Sequence, residues 1–405
     1  MLSERYRAVR AATEAICAPL TIEDHVVQAF PDASPARWHL AHTTWFFERM
    51  VLASQLGVPG HRPFHPQYDF LFNSYYDAVG PRVARDRRGT LSRPTVADIR
   101  AYRRHVDAAM TALFEREEAA PLAATIELGL HHEQQHQELL FTDVLAAFAC
   151  NPLRPVYREL PVPPSVDPGP PRFVAGPSGV HAIGHPIDEG ADEFAFDNER
   201  PRHRVFLEPF AIASRPATNA ELLSFVEDDG YRRSGLWLSE GFRAVQTRGW
   251  AAPRYWERRD GAWWTMTLGG MRPLDPHAPA CHLSEAIARS RSIEGNFADR
   301  DLLVPASTSV CAEIEQLFGD VWEWTASAYA PYPGFRPLAG ALGEYNGKFM
   351  SGQMVLRGGS CLTPRDHVRA TYRNFFPPDA RWQMTGARLA RSDVGAAADG
   401  DVFDG

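Results

Sequence analysis

The stretch GLHHEQQHQELL, residues 129–140, crowds His131, His132, Glu133, His136 and Glu138 onto one short segment. It belongs to a longer helical pattern covering residues 122–149. On a helix, His132 and His136 are i and i+4. They lie about 40° apart around the axis and about 6 Å apart along it, so both reach a single ion. Glu138 lies about 200° from His136 and cannot join them. His131 and Glu133 also fall off the shared face, and Gln135 borders it. A third ligand must then come from another helix. His39 and His42, in WHLAHTTWFFE, are the candidates. They are i and i+3, and helical phase alone does not choose between them. Three neutral imidazoles suit Zn or non-haem Fe and leave positions open for chemistry. The bland alternative is a pair of unrelated core histidines.

Outward from this segment, the N-terminal part reads as helical. Residues 3–18 and 21–30 are plausible opening helices. SPARWHLAHTTWFFERMVLASQLG offers Ser34 as N-cap, Pro35 at the first helical position and Gly57 as stop signal. Residues 95–116 have a threonine cap and helical periodicity. A four-helix bundle is the simplest architecture. The loop 58–94 contains LFNSYYDAVGPR, and a loop this long inside a bundle is usually functional. Its aromatic content argues for order.

Eight of the twenty residues from Pro152 to Pro171 are proline, so this stretch reads as an extended linker. Beyond it lie short apolar runs such as VFLEPFAIA, MVLRGGSC and GARLAR, with helical period only in NAELLSFVED and near 283–291. The expected order is a helical domain over 1–151, a linker over 152–171, a mixed domain over 172–393 and a flexible tail over 394–405.

The net charge of −8 argues against a general nucleic-acid or membrane-surface binder. Lys348 is the only lysine, and it sits in no phosphate-loop or Schiff-base motif. Five scattered cysteines without a CxxC pair suggest a reduced, cytoplasmic chain. The N-terminus lacks the apolar segment of a signal peptide, and no long apolar run suggests a membrane span.

Several stretches together resemble one family along nearly the whole chain: SPARWHLAHTTWFFE, LFNSYYDAVGPR, HHEQQHQELL, FGDVWEWTASAYAPYPGFRP, GALGEYNGKFMSGQMVLRGGSC and TYRNFFPPDARWQMTGARLAR. They are similar to the iron-dependent sulfoxide synthases of ergothioneine biosynthesis. The resemblance implies an α+β chain: a DinB-like four-helix bundle followed by a formylglycine-generating-enzyme-like domain related to C-type lectins. It implies Fe(II)- and O2-dependent joining of hercynine, the trimethylbetaine of histidine, to a thiol, with a sulfoxide as product. The family's metal pattern maps onto His42, His132 and His136. His39 is then left to packing or to supporting a ligand, and Glu138 to a supporting or surface position.

Tyr75 and Tyr76 match active-site tyrosines of one subgroup, with Tyr76 the expected proton donor. The alternative for both is loop packing. Gln135 and the triplet Asn374, Phe375 and Phe376 match substrate-contacting positions, and phenylalanine faces suit a quaternary ammonium. The actinobacterial subgroup carries tryptophan and aspartate at the positions of Phe375 and Phe376, and that aspartate helps bind γ-glutamylcysteine. Its absence here points to cysteine as the favoured thiol, with γ-glutamylcysteine the other donor. Arg82 and Arg85, with Arg87 and Arg88 nearby, are available for a donor carboxylate or form a solvated charge run. Gly358, Gly359 and FGDVWEW read as structural signatures, and Cys361 as a packed thiol. Relatives carry a further stretch where CHLSEAIARSRSIEGNF runs straight through. A selenium donor, or a zinc-dependent thiol transferase on the same bundle, are the other readings. No nucleic-acid or membrane partner is expected, and the chain is expected to be a monomer or small homo-oligomer.

Overall fold

A computed structural model describes residues 2–187, 193–282, 293–309 and 313–392. The helical segment expected near 283–291, the shortened CHLSEAIARSRSIEGNF stretch, Cys311 and the tail 394–405 lie partly or wholly outside the described residues.

Two compact units are present. The first comprises Met1–Glu159, Met266–Met271 and Pro337–Tyr345; the second comprises Leu160–Thr265, Arg272–Arg336 and Asn346–Gly405. Four long helices build the first unit: α1 (Leu2–Cys17), α2 (Ala36–Phe46), α4 (Val96–Phe114) and α5 (Ala123–Cys150), with a short α3 (Tyr68–Phe72) in the long loop. Helix α5 packs on α1 and α2, and α2 also packs on α4. Helix α5 is buried on nearly every face through its middle, from Leu128 to Glu138. That is why its apolar stripe is broad rather than narrow. Gly129 makes the closest approach possible, since a Cβ there would lie 2.7 Å from the Phe47 ring.

Three local expectations are corrected. Residues 21–30 form only a single tight turn, Asp24–Val26. Thr21 and Asp24 cap each other as at a helix start. Val27 then goes extended, and the Gln28 amide reaches the carbonyls of Ala33 and Arg85. Tertiary bonding overrides the local start signal. Ser34 is not the cap of α2, because Pro35 holds that position in extended conformation. The Ser34 hydroxyl instead accepts from Arg88 (2.9 Å), and its backbone N–H donates to Asp143 (2.8 Å). Helix α2 does not run to Gly57. It widens into a π-wound turn over Phe47–Leu52 and stops, and the chain then reverses so tightly that a Cβ at Gly57 would sit 2.3 Å from the Leu52 carbonyl oxygen. Helix α4 begins as expected, with a Thr95–Asp98 capping box.

Residues 152–171 contain no helix or strand. Among the described residues fourteen short strands follow: β1 (Phe173–Ala175), β2 (Gly179–Ile183), β3 (His203–Leu207), β4 (Phe210–Ala213), β5 (Trp256–Arg259), β6 (Ala262–Thr267), β7 (Gly270–Pro273), β8 (Gly295–Asn296), β9 (Phe318–Gly319), β10 (Trp322–Ala328), β11 (Met354–Arg357), β12 (Asn374–Phe376), β13 (Thr385–Gly386) and β14 (Ala390–Ser392). The largest sheet has the order β12-β11-β10-β13, antiparallel except where β13 runs parallel to β10. Glu323, on β10 of this sheet, forms a fully buried ion pair with Arg388 at 2.7 Å, and Arg388 also donates to the carbonyls of Ala213, Glu315 and Gln316. Such a pair survives burial because every remaining polar atom is bonded. VFLEPFAIA supplies β3 and β4, MVLR supplies β11, and NAELLSFVE forms α6 (Asn219–Glu227). A second helix, α7 (Ser239–Arg248), was not expected. Its stop signal is nonetheless present, since Gly249 closes it at φ +62. Gly358 (φ +103) precedes the buried Ser360 and Cys361, and a Cβ there would lie 2.8 Å from the Leu317 carbonyl oxygen. Cys17, Cys150, Cys281 and Cys361 are free thiols. No described helix is long and apolar enough to cross a membrane.

Candidate metal centre

Helices α2 and α5 bring His42, His132 and His136 together in the buried middle of the first unit. One ring nitrogen from each lies within 4.8 Å of the others, and among the described residues no other histidine, cysteine or carboxylate cluster forms such a group. The three ring centroids are 4.6 to 4.9 Å apart. Trp38 (4.6 Å) and Trp45 (5.5 Å) both stack on His42, which fixes that imidazole plane.

Hydrogen bonding sets the protons. Nδ1 of His42 donates to the Phe72 carbonyl oxygen at 2.6 Å, so Nε2 carries the lone pair. That Nε2 faces Nε2 of His132 at 3.1 Å, while Nδ1 of His132 is buried without a hydrogen-bond partner. Burial pushes the pKa of His132 down to about 3 and those of His42 and His136 well below the usual histidine range, with the neighbouring imidazoles adding to the shift for the latter two. Three neutral imidazoles whose ring nitrogens converge are a donor set for a divalent cation.

Nδ1 of His136 lies 2.9 Å from Nδ1 of His39, whose Nε2 lies 3.1 Å from Asp143. Thus His39 stands behind the cluster rather than in it. Glu138 is buried on α5, two residues past His136 and so about 200° from it around the helix axis. Glu133 also turns away. It accepts from Arg10 (2.9 Å), Arg103 (3.1 Å) and Thr13 (2.7 Å), and the two guanidinium groups hold its carboxyl below the usual range against the opposing effect of burial.

Tyr76 is fully buried and stacked on Tyr75 (4.5 Å), with the two hydroxyls 3.4 Å apart. Burial, reinforced by Tyr75, drives the Tyr76 phenol pKa well above 10. Asn73 shapes the turn that carries them, accepting from the Tyr76 backbone N–H and donating to its carbonyl, 2.9 Å each. A contact that local reading missed comes from Pro337–Tyr345. Glu344 accepts from the backbone N–H groups of Asp77 and Ala78, 2.8 Å each, which pins the tyrosine loop. The Tyr345 hydroxyl donates to Gln135, and its ring lies 5.6 Å from that of His132. The GEYNG turn inside a resembling stretch was the available signal.

The arginines divide differently from the expectation. Arg82 is ion-paired with Asp77, and Arg85 is exposed. Arg88 is the buried one, bonded to Ser34 and Ser74 with its guanidinium 3.4 Å from the Trp38 ring centroid. Asn374, Phe375 and Phe376 form β12 in the second unit, where Phe375 stacks on Tyr329 at 4.0 Å.

Two family profiles match the chain: the DinB superfamily over residues 5–140, and the sulfatase-modifying factor enzyme 1-like domain over residues 165–286 and 310–393. A hercynine oxygenase of Mycolicibacterium thermoresistibile is 31% identical over 418 residues, covering 89% of this chain and 88% of that protein. The hercynine oxygenase of Mycobacterium tuberculosis is 29% identical, covering 89% of this chain and 91% of that protein. Ergothioneine biosynthesis protein 1 of Schizosaccharomyces pombe is 25% identical over half of this chain and 29% of its own length.

Proposed function

Because the chain belongs to the sulfoxide synthase family of ergothioneine biosynthesis, we propose that it is an iron-dependent cytoplasmic enzyme that couples hercynine to a thiol, cysteine by preference, and releases the S-oxide. The observation that carries this reading is the buried trio His42, His132 and His136, each offering a ring nitrogen within 4.8 Å of the others. The residues fit a divalent metal, and they would hold it. Fe(II) bound there supplies activation of O2 and a site that favours the thiolate over the thiol. The overall balance needs no external reductant: forming the C–S bond from C–H and S–H gives up two electrons, oxidising sulfur gives two more, and O2 ends as the sulfoxide oxygen and one water.

In this reading residues 1–151 carry the metal, 152–171 connect, and 172–393 complete the enzyme. Tyr76, kept protonated by burial, donates a proton to developing negative charge, and Tyr75 relays its replacement. Gln135, oriented by Tyr345, bonds the hercynine imidazole or carboxylate. Asn374, Phe375 and Phe376 keep the hercynine contact that the family likeness implies. For the donor carboxylate, the paired Arg82 and exposed Arg85 are the named candidates.

The test is anaerobic Fe(II) reconstitution, followed by O2 with hercynine plus cysteine, γ-glutamylcysteine or a selenosugar in parallel, with products read by mass spectrometry. A hercynyl-cysteine sulfoxide is expected. Coupling only with the selenosugar, or thiol transfer supported by Zn(II) without O2, would contradict the proposal.

A further inference from the structure

The line Asp143, His39, His136 runs out from the histidine cluster through buried side chains only. Asp143 is held in place from elsewhere, because its Oδ2 accepts the Ser34 backbone N–H at 2.8 Å. The same oxygen lies 3.1 Å from Nε2 of His39, and a carboxylate can only accept. In a neutral His39 the proton therefore sits on Nε2, and Nδ1 becomes an acceptor. Nδ1 of His136, 2.9 Å away, must then be the donor. The proton of a neutral His136 is consumed on that side, and its lone pair is left on Nε2.

We propose that Asp143 and His39 are positioning residues that hold His136 in its Nδ1–H tautomer, so that Nε2 is the atom it offers to the metal. His42 reaches the same state by a different route, through the Phe72 carbonyl. His132 has no such partner on Nδ1. Partners of this kind fix ring orientation and raise ligand basicity, and losing one typically lowers metal affinity about 10- to 100-fold. The inference rests on the metal reading of the trio.

The experiment compares Co(II) binding by the full-length metal-free protein, followed through visible absorption, in wild type, His42→Ala, His39→Leu and His39→Asn. Leucine keeps the volume and removes the acceptor. Asparagine places an oxygen near the Nδ1 position and restores it. The expected result is loss of binding in His42→Ala, affinity lowered about 10- to 100-fold in His39→Leu, and recovery toward wild type in His39→Asn. Equal affinity in wild type and His39→Leu, with His42→Ala dead, overturns the positioning role alone. Equally poor binding by His39→Leu and His39→Asn does the same. No binding by wild type, or binding unchanged in His42→Ala, overturns the metal reading itself. Should His39→Leu fail to fold, imidazole 15N spectra of the wild-type apoprotein decide: protons on Nε2 of His39 and Nδ1 of His136 support the proposal, and the reverse assignment refutes it.

Discussion

Helix α5 carries two buried polar groups one residue apart in sequence, and they are built on opposite logic. Glu133 meets two guanidinium groups and a hydroxyl, so its charge is matched and its oxygens are bonded. Nε2 of His132 lies 3.1 Å from Nε2 of His42, and its Nδ1 is left unpartnered. The first arrangement is complete without any further group. The second leaves a buried ring nitrogen of His132 without a hydrogen-bond partner. Buried polar groups are ordinarily satisfied, so an unbonded ring nitrogen within a histidine cluster fits the proposed metal site.

The comparison breaks most visibly at Glu133. Glu133→Ala leaves Arg10 and Arg103 facing each other without their shared counter-charge. It should cost about 3–5 kcal/mol in chemical denaturation, and a loss below about 1 kcal/mol would show that the network is not structural. His136→Ala should behave oppositely. Iron binding and turnover vanish, while apoprotein stability falls less than in Glu133→Ala, by about 1–3 kcal/mol for a truncated buried side chain and its lost hydrogen bond; retained turnover would sink the metal assignment. Tyr76→Phe should lower sulfoxide formation by about 100-fold or more and divert the thiol to simple oxidation. An unchanged product ratio would remove Tyr76 from the proton path.

The smallest effect is on pH. The cluster histidines have folded pKa values below their unfolded value near 6.5, so the unfolded chain binds more protons. Apoprotein stability should therefore fall as pH drops below 6.5, down to about pH 3 for His132. Each such histidine contributes up to about 1.4 kcal/mol per pH unit in that window. A melting series from pH 7.5 to 5 should be shallower in His132→Gln than in wild type. Identical slopes would mean that His132 is not neutral in the folded apoprotein.

The two groups also differed in how far sequence alone disclosed them. Spacing put His132 and His136 on one face because an α-helix has a fixed pitch, and it removed Glu138 from that face for the same reason. It could not choose between His39 and His42, since i and i+3 both face the core; family likeness made that choice, and the structure brings His42 into the trio. The partners of Glu133 come from α1 and α4, and no local pattern links Arg10 to Arg103. Ser34 looked like a cap because capping is read locally, yet Arg88 recruits its hydroxyl from 54 positions away. Tyr345 approaches Gln135 across 210 positions, a closure that only the folded chain creates. Helix α7 was missed because its sequence is polar and short, although its closing glycine was legible.

The measurement that tests the contrast most directly is calorimetric titration of the apoprotein with Fe(II) under argon, in wild type and in His132→Ala. The account predicts one equivalent bound per chain in wild type and none in the variant, with both proteins folded. Equal binding in the two, or no binding in wild type, would contradict it.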